Sequence, residues 1–192
     1  LAKLQSLFAG DLTLVTQNVD GLHLRAQSPQ ASTFEIHGNI DFMRCSARCS
    51  DQLVAMAIPP QPRKPNQQLT ASEKAALTCP ACSELMRPHV LWFDECYEEG
   101  LFRAQSSLQA AEQADLLIIV GTSGTTSLPV QIAQIAARNK VPLVDINPQS
   151  NPFGELANSL ENGLFLQERA GDVLPAFADA LSKTRFKTRI ET

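Results

Sequence analysis

The stretch "DLLIIVGTS" (residues 115–123) gives the strongest strand signal in the chain. A continuous apolar run that ends in glycine and small hydroxyl residues is typical of a strand buried on both faces. Three further runs have the same character: "LTLVTQN" (12–18), "VPLVDIN" (141–147) and "GLFL" (163–166). The sequence therefore predicts several buried strands, as a parallel sheet requires.

Helical patterns alternate with these predicted strands. They are "RAQSSLQAAEQA" (103–114), "SLPVQIAQIAARN" (127–139) and "DVLPAFADALSK" (172–183), and the chain opens inside another, "LAKLQSLFAG" (1–10). Ser127 is predicted to be the N-cap of its helix, with Pro129 in the first turn. The alternation of strand and helix predicts an α/β fold with a parallel sheet covered by helices.

Composition and charge exclude several classes of function. A chain of 192 residues with 44% apolar residues suits one soluble domain, or a domain that carries a small insertion. The formal charge of -4 gives no basic surface for nucleic acid or an anionic membrane. No apolar run approaches the roughly 20 residues that span a bilayer, and no signal-peptide pattern is present. We expect a cytoplasmic protein without membrane or direct nucleic-acid partners, and its oligomeric state cannot be inferred.

Four of the five cysteines form two close pairs, Cys45 with Cys49 and Cys79 with Cys82. Without an export signal, such pairs favour metal binding over disulfides. Their spacing suits one tetrahedral Zn²⁺ bound by four thiolates, and such a site is structural because no position stays open for water. Cys96 lies outside both pairs and is interpreted as a small buried hydrophobe, with a reactive thiol as the alternative.

Residues 39–88 interrupt the alternation of strands and helices. They contain both cysteine pairs and the Pro/Gln-rich piece "IPPQPRKPNQQLT" (58–70), which cannot be a core element. We interpret them as a small zinc-binding module with an exposed loop, inserted into a sheet domain made of residues 1–38 and 89–192.

Polar side chains gather where three predicted strands end. They are Gln17, Asn18 and Asp20 in "TQNVDGLH" (16–23), Gly121, Thr122 and Ser123, and Asn147. Ligands of parallel α/β sheets bind at the carboxyl ends of the strands. A glycine-rich turn before a helix can also bind an anion through its backbone N–H groups. These clusters predict a ligand rich in hydroxyl and amide groups, although a capped polar loop also explains the first one.

Two shorter motifs add a candidate general base and a candidate strand that could pair with a peptide. "EIHG" (35–38) contains His37, whose unperturbed pKa lies near physiological pH and suits a general base. Gly38 after it would allow a backbone or substrate to approach closely. "RPHVLWFDE" (87–95) predicts an apolar strand over residues 90–93. That strand either packs at a domain junction or pairs with an extended peptide, and the residues favour neither alternative.

Together these motifs resemble those of the sirtuins, the NAD-dependent protein deacylases. The matching stretches occur in the family's order and cover nearly the whole chain: "TQNVDGLH", "EIHG", the cysteine pairs, "RPHVLWF", "IIVGTS", "DINPQ" and "RAGDVLP". The resemblance implies a Rossmann-like parallel sheet with helices on both faces and an inserted zinc-binding domain. The family's glycine-rich "GAGxS" turn and "PDFR"-type segment would belong before Leu1, so we expect an upstream segment.

The resemblance also implies a role for each matching residue. His37 matches the general base, and Asn18 and Asp20 match the catalytic residues near the nicotinamide. The residues expected to contact NAD are Gln17, Asn18, Val19, Asp20, His37, Gly121, Thr122, Ser123, Asn147, Pro148, Gln149 and Ala170. Val90 and Phe93 match the strand that pairs with the substrate peptide. The structural zinc ligands would be Cys45, Cys49, Cys79 and Cys82.

The implied activity is NAD-dependent removal of acetyl or related acyl groups from protein lysines. Its products would be nicotinamide, O-acyl-ADP-ribose and the free lysine, and His37 would take a proton from a ribose hydroxyl. Two alternatives stay open: ADP-ribosyl transfer or NAD hydrolysis at the same site, and a zinc- or NAD-binding module without catalysis. Neither the acyl group nor the substrate protein can be inferred from the sequence.

Overall fold

The computed structural model describes residues 1–56, 64 and 66–190, with the backbone alone for residues 182 and 184–190. Most of the predicted exposed loop, residues 58–63 and 65, lies outside the described residues. The strands are β1 (Leu14–Thr16), β2 (Thr33–Glu35), β3 (Gly38–Cys45), β4 (Val54–Ala55), β5 (Met86–Val90), β6 (Leu117–Val120), β7 (Leu143–Ile146) and β8 (Gly163–Leu166). The helices are α1 (Ala2–Leu7), α2 (Leu22–Arg25), α3 (Ala71–Ala76), α4 (Glu99–Phe102), α5 (Ala104–Glu112), α6 (Ser127–Arg138), α7 (Pro152–Ser159) and α8 (Ala170–Ile190).

The chain divides into two compact units. The terminal unit comprises Leu1–Thr13 and Ala104–Thr192, and the central unit comprises Leu14–Arg103. The domain boundaries predicted after residues 38 and 88 lie within β3 and β5, which pair with each other. The division into an NAD-binding and a zinc-binding domain stays a prediction.

The terminal unit is built on a three-stranded parallel sheet in the order β6-β7-β8. Helices α6 and α7 connect its successive strands, as parallel pairing requires. Its core consists of Ile119, Ala133, Leu143, Phe153 and Ala157. These strand–helix units confirm the predicted α/β class with a Rossmann-like parallel sheet. A cluster of four cysteines in the central unit agrees with the predicted zinc-binding part.

Helix α6 shows why the predicted helical pattern forms. Leu128, Ile132 and Ala136 recur every four residues and are buried, so they form one apolar stripe. The predicted N-cap, Ser127, is wrong: Thr126 has the extended backbone of a cap, and Ser127 is already helical. The Thr126 side chain makes no capping hydrogen bond.

The central unit contains two small sheets. Strands β1 and β2 pair in parallel, and β4, β3 and β5 form an antiparallel sheet with β3 in the middle. Helix α3, which the sequence analysis did not predict, begins with a capping box between Thr70 and Glu73. None of the described helices is long and apolar enough to cross a membrane.

The strand predicted over residues 90–93 is wrong. Strand β5 ends at Val90, and a turn follows in which the Glu95 N–H donates to the Trp92 carbonyl at 3.0 Å. The Glu95 carboxylate in turn accepts the Trp92 N–H at 2.9 Å. This reciprocal contact closes a turn where the apolar residues alone indicated an extended strand.

Candidate functional site

The imidazole of His37 has a defined partner on each nitrogen. Nδ1 lies 3.1 Å from the backbone carbonyl oxygen of Gln17, and Nε2 lies 2.9 Å from the Tyr97 hydroxyl. Because a carbonyl oxygen only accepts hydrogen bonds, Nδ1 carries the proton of the neutral ring. The lone pair is then on Nε2, and the Tyr97 hydroxyl donates to it.

Burial favours this neutral form of His37. It lowers the pKa of the half-buried ring, and the hydrogen bond to the Gln17 carbonyl opposes that effect without cancelling it. The ring is therefore a neutral group with one basic nitrogen, which a general base needs at neutral pH.

The two other histidines differ from His37. His89 is buried and stacks on Phe102, with ring centroids 5.2 Å apart. Burial, reinforced by the nearby Arg44 charge, lowers the pKa of His89 to about 4. His23 lies on α2, where its carbonyl accepts the Ser28 N–H. His37 is thus the one with a half-buried, doubly hydrogen-bonded ring.

The chain holds the backbone of His37 from two sides. The Ile36 N–H donates to the Thr16 carbonyl at the end of the β1–β2 pair, and the Leu91 N–H donates to the His37 carbonyl. Gly38 has φ +88°, and a Cβ there would lie 2.0 Å from the His89 carbonyl oxygen. The close approach expected at Gly38 is therefore made by the chain's own backbone, and it sets the position where β3 begins.

The polar stretch after β1 is tied down mainly through its backbone. The Asn18 N–H donates to Thr16 Oγ1, and the Val19 carbonyl accepts the Ile40 N–H. The Asp20 carboxylate accepts the Leu22 N–H, just before α2 begins. Asn18 is exposed. Local capping therefore accounts for Asp20 in this structure, and the NAD contacts of Asn18, Val19 and Asp20 stay predictions.

The four paired cysteines come together in the central unit. Their sulfur atoms all lie within 4.8 Å of one another, and two pairs, Cys45 with Cys82 and Cys49 with Cys79, are 3.5 Å apart. A tetrahedral Zn²⁺ with bonds of about 2.3 Å needs sulfur atoms roughly 3.8 Å apart. The four sulfurs therefore fit one zinc ion.

Each cysteine pair is presented by a tight turn. Arg48, between the first two ligands, and Ser83, just after the last, both have left-handed backbone conformations. The Cys49 N–H, the largest of several contributions, lowers the pKa of the Cys45 thiol to about 6. The Ala81 N–H contributes most to lowering the pKa of Cys79. Backbone donors thus favour the thiolate form at Cys45 and Cys79. Hydrogen bonds with the neighbouring cysteine sulfurs raise the pKa of Cys49 to about 12, and the pKa of Cys82 is also raised.

The terminal unit contains a separate polar pocket of about 200 Å³ at the carboxyl ends of β6 and β7. Its lining residues are Gly121, Thr122, Ser123, Asn147, Gln149, Ser150, Asn151 and Pro152. The Asn147 side chain joins the two loops: its Nδ2 donates to the Thr122 carbonyl at 2.9 Å, and its Oδ1 accepts the Gln149 N–H at 3.2 Å. The pocket can therefore bind a polar ligand through hydroxyls, amides and backbone groups.

Five of the residues predicted to bind NAD line this pocket: Gly121, Thr122, Ser123, Asn147 and Gln149. Two other predicted contacts are not among the lining residues: Pro148, which lies after β7, and Ala170, which begins α8. Sequence reasoning missed Ser150, Asn151 and Pro152. The sequence contained a signal for Asn151 and Pro152, because an Asn followed by Pro is typical of the capped start of a helix. In the structure, Asn151 Oδ1 accepts the Phe153 and Gly154 N–H groups.

Val90 and Phe93, the residues predicted to pair with a peptide, are not on one strand. Val90 is the last residue of β5 and pairs with Gly38, whereas Phe93 is fully exposed in the following turn. Cys96 is exposed, which contradicts its interpretation as a buried hydrophobe. The exposed position of Cys96 between β5 and α4 outweighs the usual burial of free cysteines.

Sequence reasoning also missed the cluster around Glu95. This carboxylate accepts hydrogen bonds from Arg44 at 2.8 Å, from Arg48 at 3.3 Å and from Arg87. Burial raises the pKa of Glu95, but the Trp92 N–H and the charges of Arg44 and Arg87 outweigh it, so the pKa lies below its usual value. Arg44 and Arg48 lie some fifty residues from Glu95 in sequence, beyond any local pattern.

Comparisons with known proteins lead to the same family as the sequence motifs. The Sir2 family model matches residues 1–127. An NAD-dependent protein deacylase of Leptospira interrogans is 38% identical over 165 residues, which are 86% of this chain and 58% of that protein. The crystal structure of a Sir2 homologue–NAD complex has a TM-score of 0.75 at 26% identity, over 95% of this chain and 62% of that one.

A second structure, a Sir2 homologue mutant in complex with 2′-O-acetyl-ADP-ribose, has a TM-score of 0.73 at 25% identity. The match covers 95% of this chain and 64% of that one. The chain thus spans about three fifths of the length of these proteins. Since the family model covers more than half of the chain, and the resemblance seen in the motifs is confirmed, the chain belongs to the Sir2 family.

Proposed function

We propose that this chain forms part of an NAD-dependent protein-lysine deacylase, which transfers an acetyl or related acyl group from lysine to ADP-ribose. The observation that carries the proposal is the neutral His37 imidazole, with its proton on Nδ1 and its basic nitrogen on Nε2. The deacylase name of the Leptospira relative and the NAD and 2′-O-acetyl-ADP-ribose complexes of the two homologues support it.

His37 is proposed to be the general base. Nε2 accepts the proton of a ribose hydroxyl, and the Gln17 carbonyl stabilises the resulting imidazolium through its bond to Nδ1–H. NAD supplies the activated ribose carbon and the nicotinamide leaving group. The side chains of Asn18 and Asp20 are proposed to act at the nicotinamide end, with Gln17 and Val19 contributing further contacts.

The polar pocket of the terminal unit is proposed to bind the adenosine side of NAD. Asn147 offers an amide beside the hydroxyls of Thr122 and Ser123, and such groups suit a ribose diol. Gly121 leaves its backbone open, because a Cβ there would meet no atom within 4 Å. Further proposed contacts are Pro148, Gln149 and Ala170.

The acylated peptide is proposed to bind along β5, with Val90 and Phe93 as its contacts. Strand β5 is an outer strand of its sheet, so an extended peptide can add to it by backbone pairing. The exposed Phe93 ring offers apolar surface beside that edge. The zinc ion is proposed to be structural, because four thiolates fill its coordination sphere.

A cytoplasmic location is also proposed. Four free thiols arranged for metal binding suit a reducing compartment better than an oxidising one. Direct nucleic-acid binding is not proposed, since the chain carries a formal charge of -4.

The test is to incubate the zinc-loaded protein with NAD and an acetyl-lysine peptide and to follow the products by mass spectrometry. Deacylation gives free lysine peptide, nicotinamide and O-acetyl-ADP-ribose in equal amounts. Free ADP-ribose without change in the peptide would instead indicate NAD hydrolysis, and an ADP-ribosylated peptide would indicate ADP-ribosyl transfer. Either result contradicts the proposed deacylation.

His37→Ala should reduce deacylation at least about 100-fold, the usual contribution of a general base. Zinc content and the circular dichroism spectrum should not change, since the hydrogen-bond partners of the His37 ring are Gln17 and Tyr97 and not the four cysteines. Turnover within a few fold of the unsubstituted protein would remove His37 from its proposed role.

A further inference from the structure

We propose that the Tyr97 hydroxyl competes with the ribose hydroxyl of NAD for Nε2 of His37, so that Tyr97 must release the base before the reaction can begin. This inference rests on the proposed role of His37 as general base. It makes Tyr97 a residue that sets the affinity for NAD, at a position to which no function was assigned by the sequence motifs.

The competition follows from the valence of the imidazole. Nδ1 is committed to the Gln17 carbonyl and carries the proton, so Nε2 has the only basic lone pair. That lone pair accepts one hydrogen bond, and the Tyr97 hydroxyl donates it at 2.9 Å. A ribose hydroxyl that approaches Nε2 at hydrogen-bond distance must take the place of the Tyr97 hydroxyl.

The turn that carries Tyr97 is anchored close by. Two residues before Tyr97, the Glu95 carboxylate binds the guanidinium groups of Arg44 and Arg87 as well as the Trp92 N–H. Arg44 is only 2% exposed, so this anchor does not swing freely. The exchange is therefore a rotation of the Tyr97 side chain, two residues from the anchored Glu95.

The exchange is energetically modest. Tyr97 is partly exposed, so its released hydroxyl can bind water. The Tyr97 and His37 rings are 5.9 Å apart at their centroids and inclined by 29°, so the hydroxyl bond, not close face-to-face stacking, is the main contact between them. What NAD must displace at Nε2 is the hydrogen bond from the Tyr97 hydroxyl.

The test compares Tyr97→Phe with the unsubstituted protein. Phenylalanine keeps the ring and removes only the hydroxyl, so the Kd and KM for NAD should fall about two- to tenfold, the range of one net hydrogen bond. The kcat should stay the same, because the hydroxyl has already left Nε2 in the reacting complex. Cys96→Ser, next to Tyr97 and equally conservative, should change neither constant.

A second readout does not depend on activity. In long-range ¹H–¹⁵N spectra of the NAD-free protein, Tyr97→Phe should shift the His37 Nε2 resonance while Nδ1 remains protonated. If deacylation is absent but this shift occurs and the Kd for NAD falls, the proposed function fails and the competition stands. A tenfold loss of kcat at unchanged KM would overturn the inference by showing that Tyr97 relays the proton. An unshifted Nε2 resonance would overturn it as well.

Discussion

The two units treat a largely buried carboxylate in opposite ways. In the central unit, Glu95 is surrounded by Arg44, Arg48 and Arg87, and its pKa lies below the usual value. In the terminal unit, Asp145 is fully buried in the middle strand of the parallel sheet, and burial raises its pKa. The same chemical group is thus held ionised by cations in one unit and disfavoured as an ion in the other.

The difference extends to how each unit is stabilised. The terminal unit has a continuous apolar core between its sheet and helices. The corresponding cluster around the metal site of the central unit consists of two methionines and two of the cysteines, Met43, Cys45, Cys79 and Met86. Small cores of this kind need metal or polar anchors. The unit that holds the candidate base is therefore the one that depends on specific polar contacts.

The largest expected effect is removal of a zinc ligand. Cys45→Ser leaves three thiolates, so we expect the zinc content measured by mass spectrometry to fall from one ion per chain to nearly none. Amide hydrogen exchange in β3 and β5 should then accelerate strongly, because Cys45 is the last residue of β3 and pairs with Met86. The amides of β6, β7 and β8 should keep their protection, since their core has its own residues.

Cys96→Ser is the matched control for this change. Cys96 is exposed and lies outside the four-sulfur cluster, so its substitution should leave both zinc content and exchange unchanged. If Cys45→Ser retained its zinc, the cluster would not be the metal site. If the amides in the sheet of the terminal unit also exchanged faster, the proposed difference in how the two units are stabilised would be wrong.

The next largest effect is expected on the free energy of unfolding, from a change at Glu95 in the cluster around that residue. Glu95→Gln keeps the shape of the side chain and removes its charge, which leaves Arg44 buried without its anionic partner. Breaking a buried ion pair in this way costs about 3–5 kcal/mol. We expect the free energy of unfolding, measured in urea, to decrease by that order at neutral pH.

Glu98→Gln provides the comparison for Glu95→Gln. The Glu98 and Arg48 side chains are 40% and 50% exposed, and such pairs contribute little because solvent screens them. The free energy of unfolding should therefore hardly change. Equal effects of the two substitutions would show that Glu95 is no more important than a surface carboxylate.

The features predicted correctly from the sequence are those with a local signal. The continuous apolar runs predicted β6, β7 and β8, and the spacing of the cysteines predicted their cluster. The strands need only the composition of consecutive residues, and the cysteines need only the close spacing within each pair, because a metal ion joins the two pairs.

The features that were missed depend on residues far apart in sequence. His37 meets Gln17 across 20 residues and Tyr97 across 60, and no periodicity relates those positions. The apolar pair Trp92 and Phe93 indicated a strand, but Glu95, which Arg44 binds across 51 residues, accepts the Trp92 N–H and turns the chain there. Tertiary hydrogen bonds overrode local preference at these points, which is common at functional sites.

The smallest effect expected is a pH-dependent one, at Asp145. Its Oδ2 accepts the Asn151 side-chain N–H at 2.7 Å, whereas its buried Oδ1 has no hydrogen-bond partner among the described residues. Burial raises the pKa of Asp145 in the folded protein above its unfolded value. The unfolded state therefore loses this proton first, and Asp145 destabilises the fold increasingly as pH rises from the unfolded pKa through the folded one.

Asp145→Asn removes that ionisation and keeps an oxygen that can accept from Asn151. Its Tm should equal or slightly exceed that of the unsubstituted protein near pH 3, where the carboxyl is protonated in both states. The gain should grow as pH rises above the unfolded pKa and level off once the folded carboxyl is ionised. Comparing both proteins at each pH cancels the titration of the cysteines and of the other carboxylates. A gain that shrank with rising pH would mean that Asp145 is stabilised as an anion, as Glu95 is, and the two units would then not differ in how they hold a buried carboxylate.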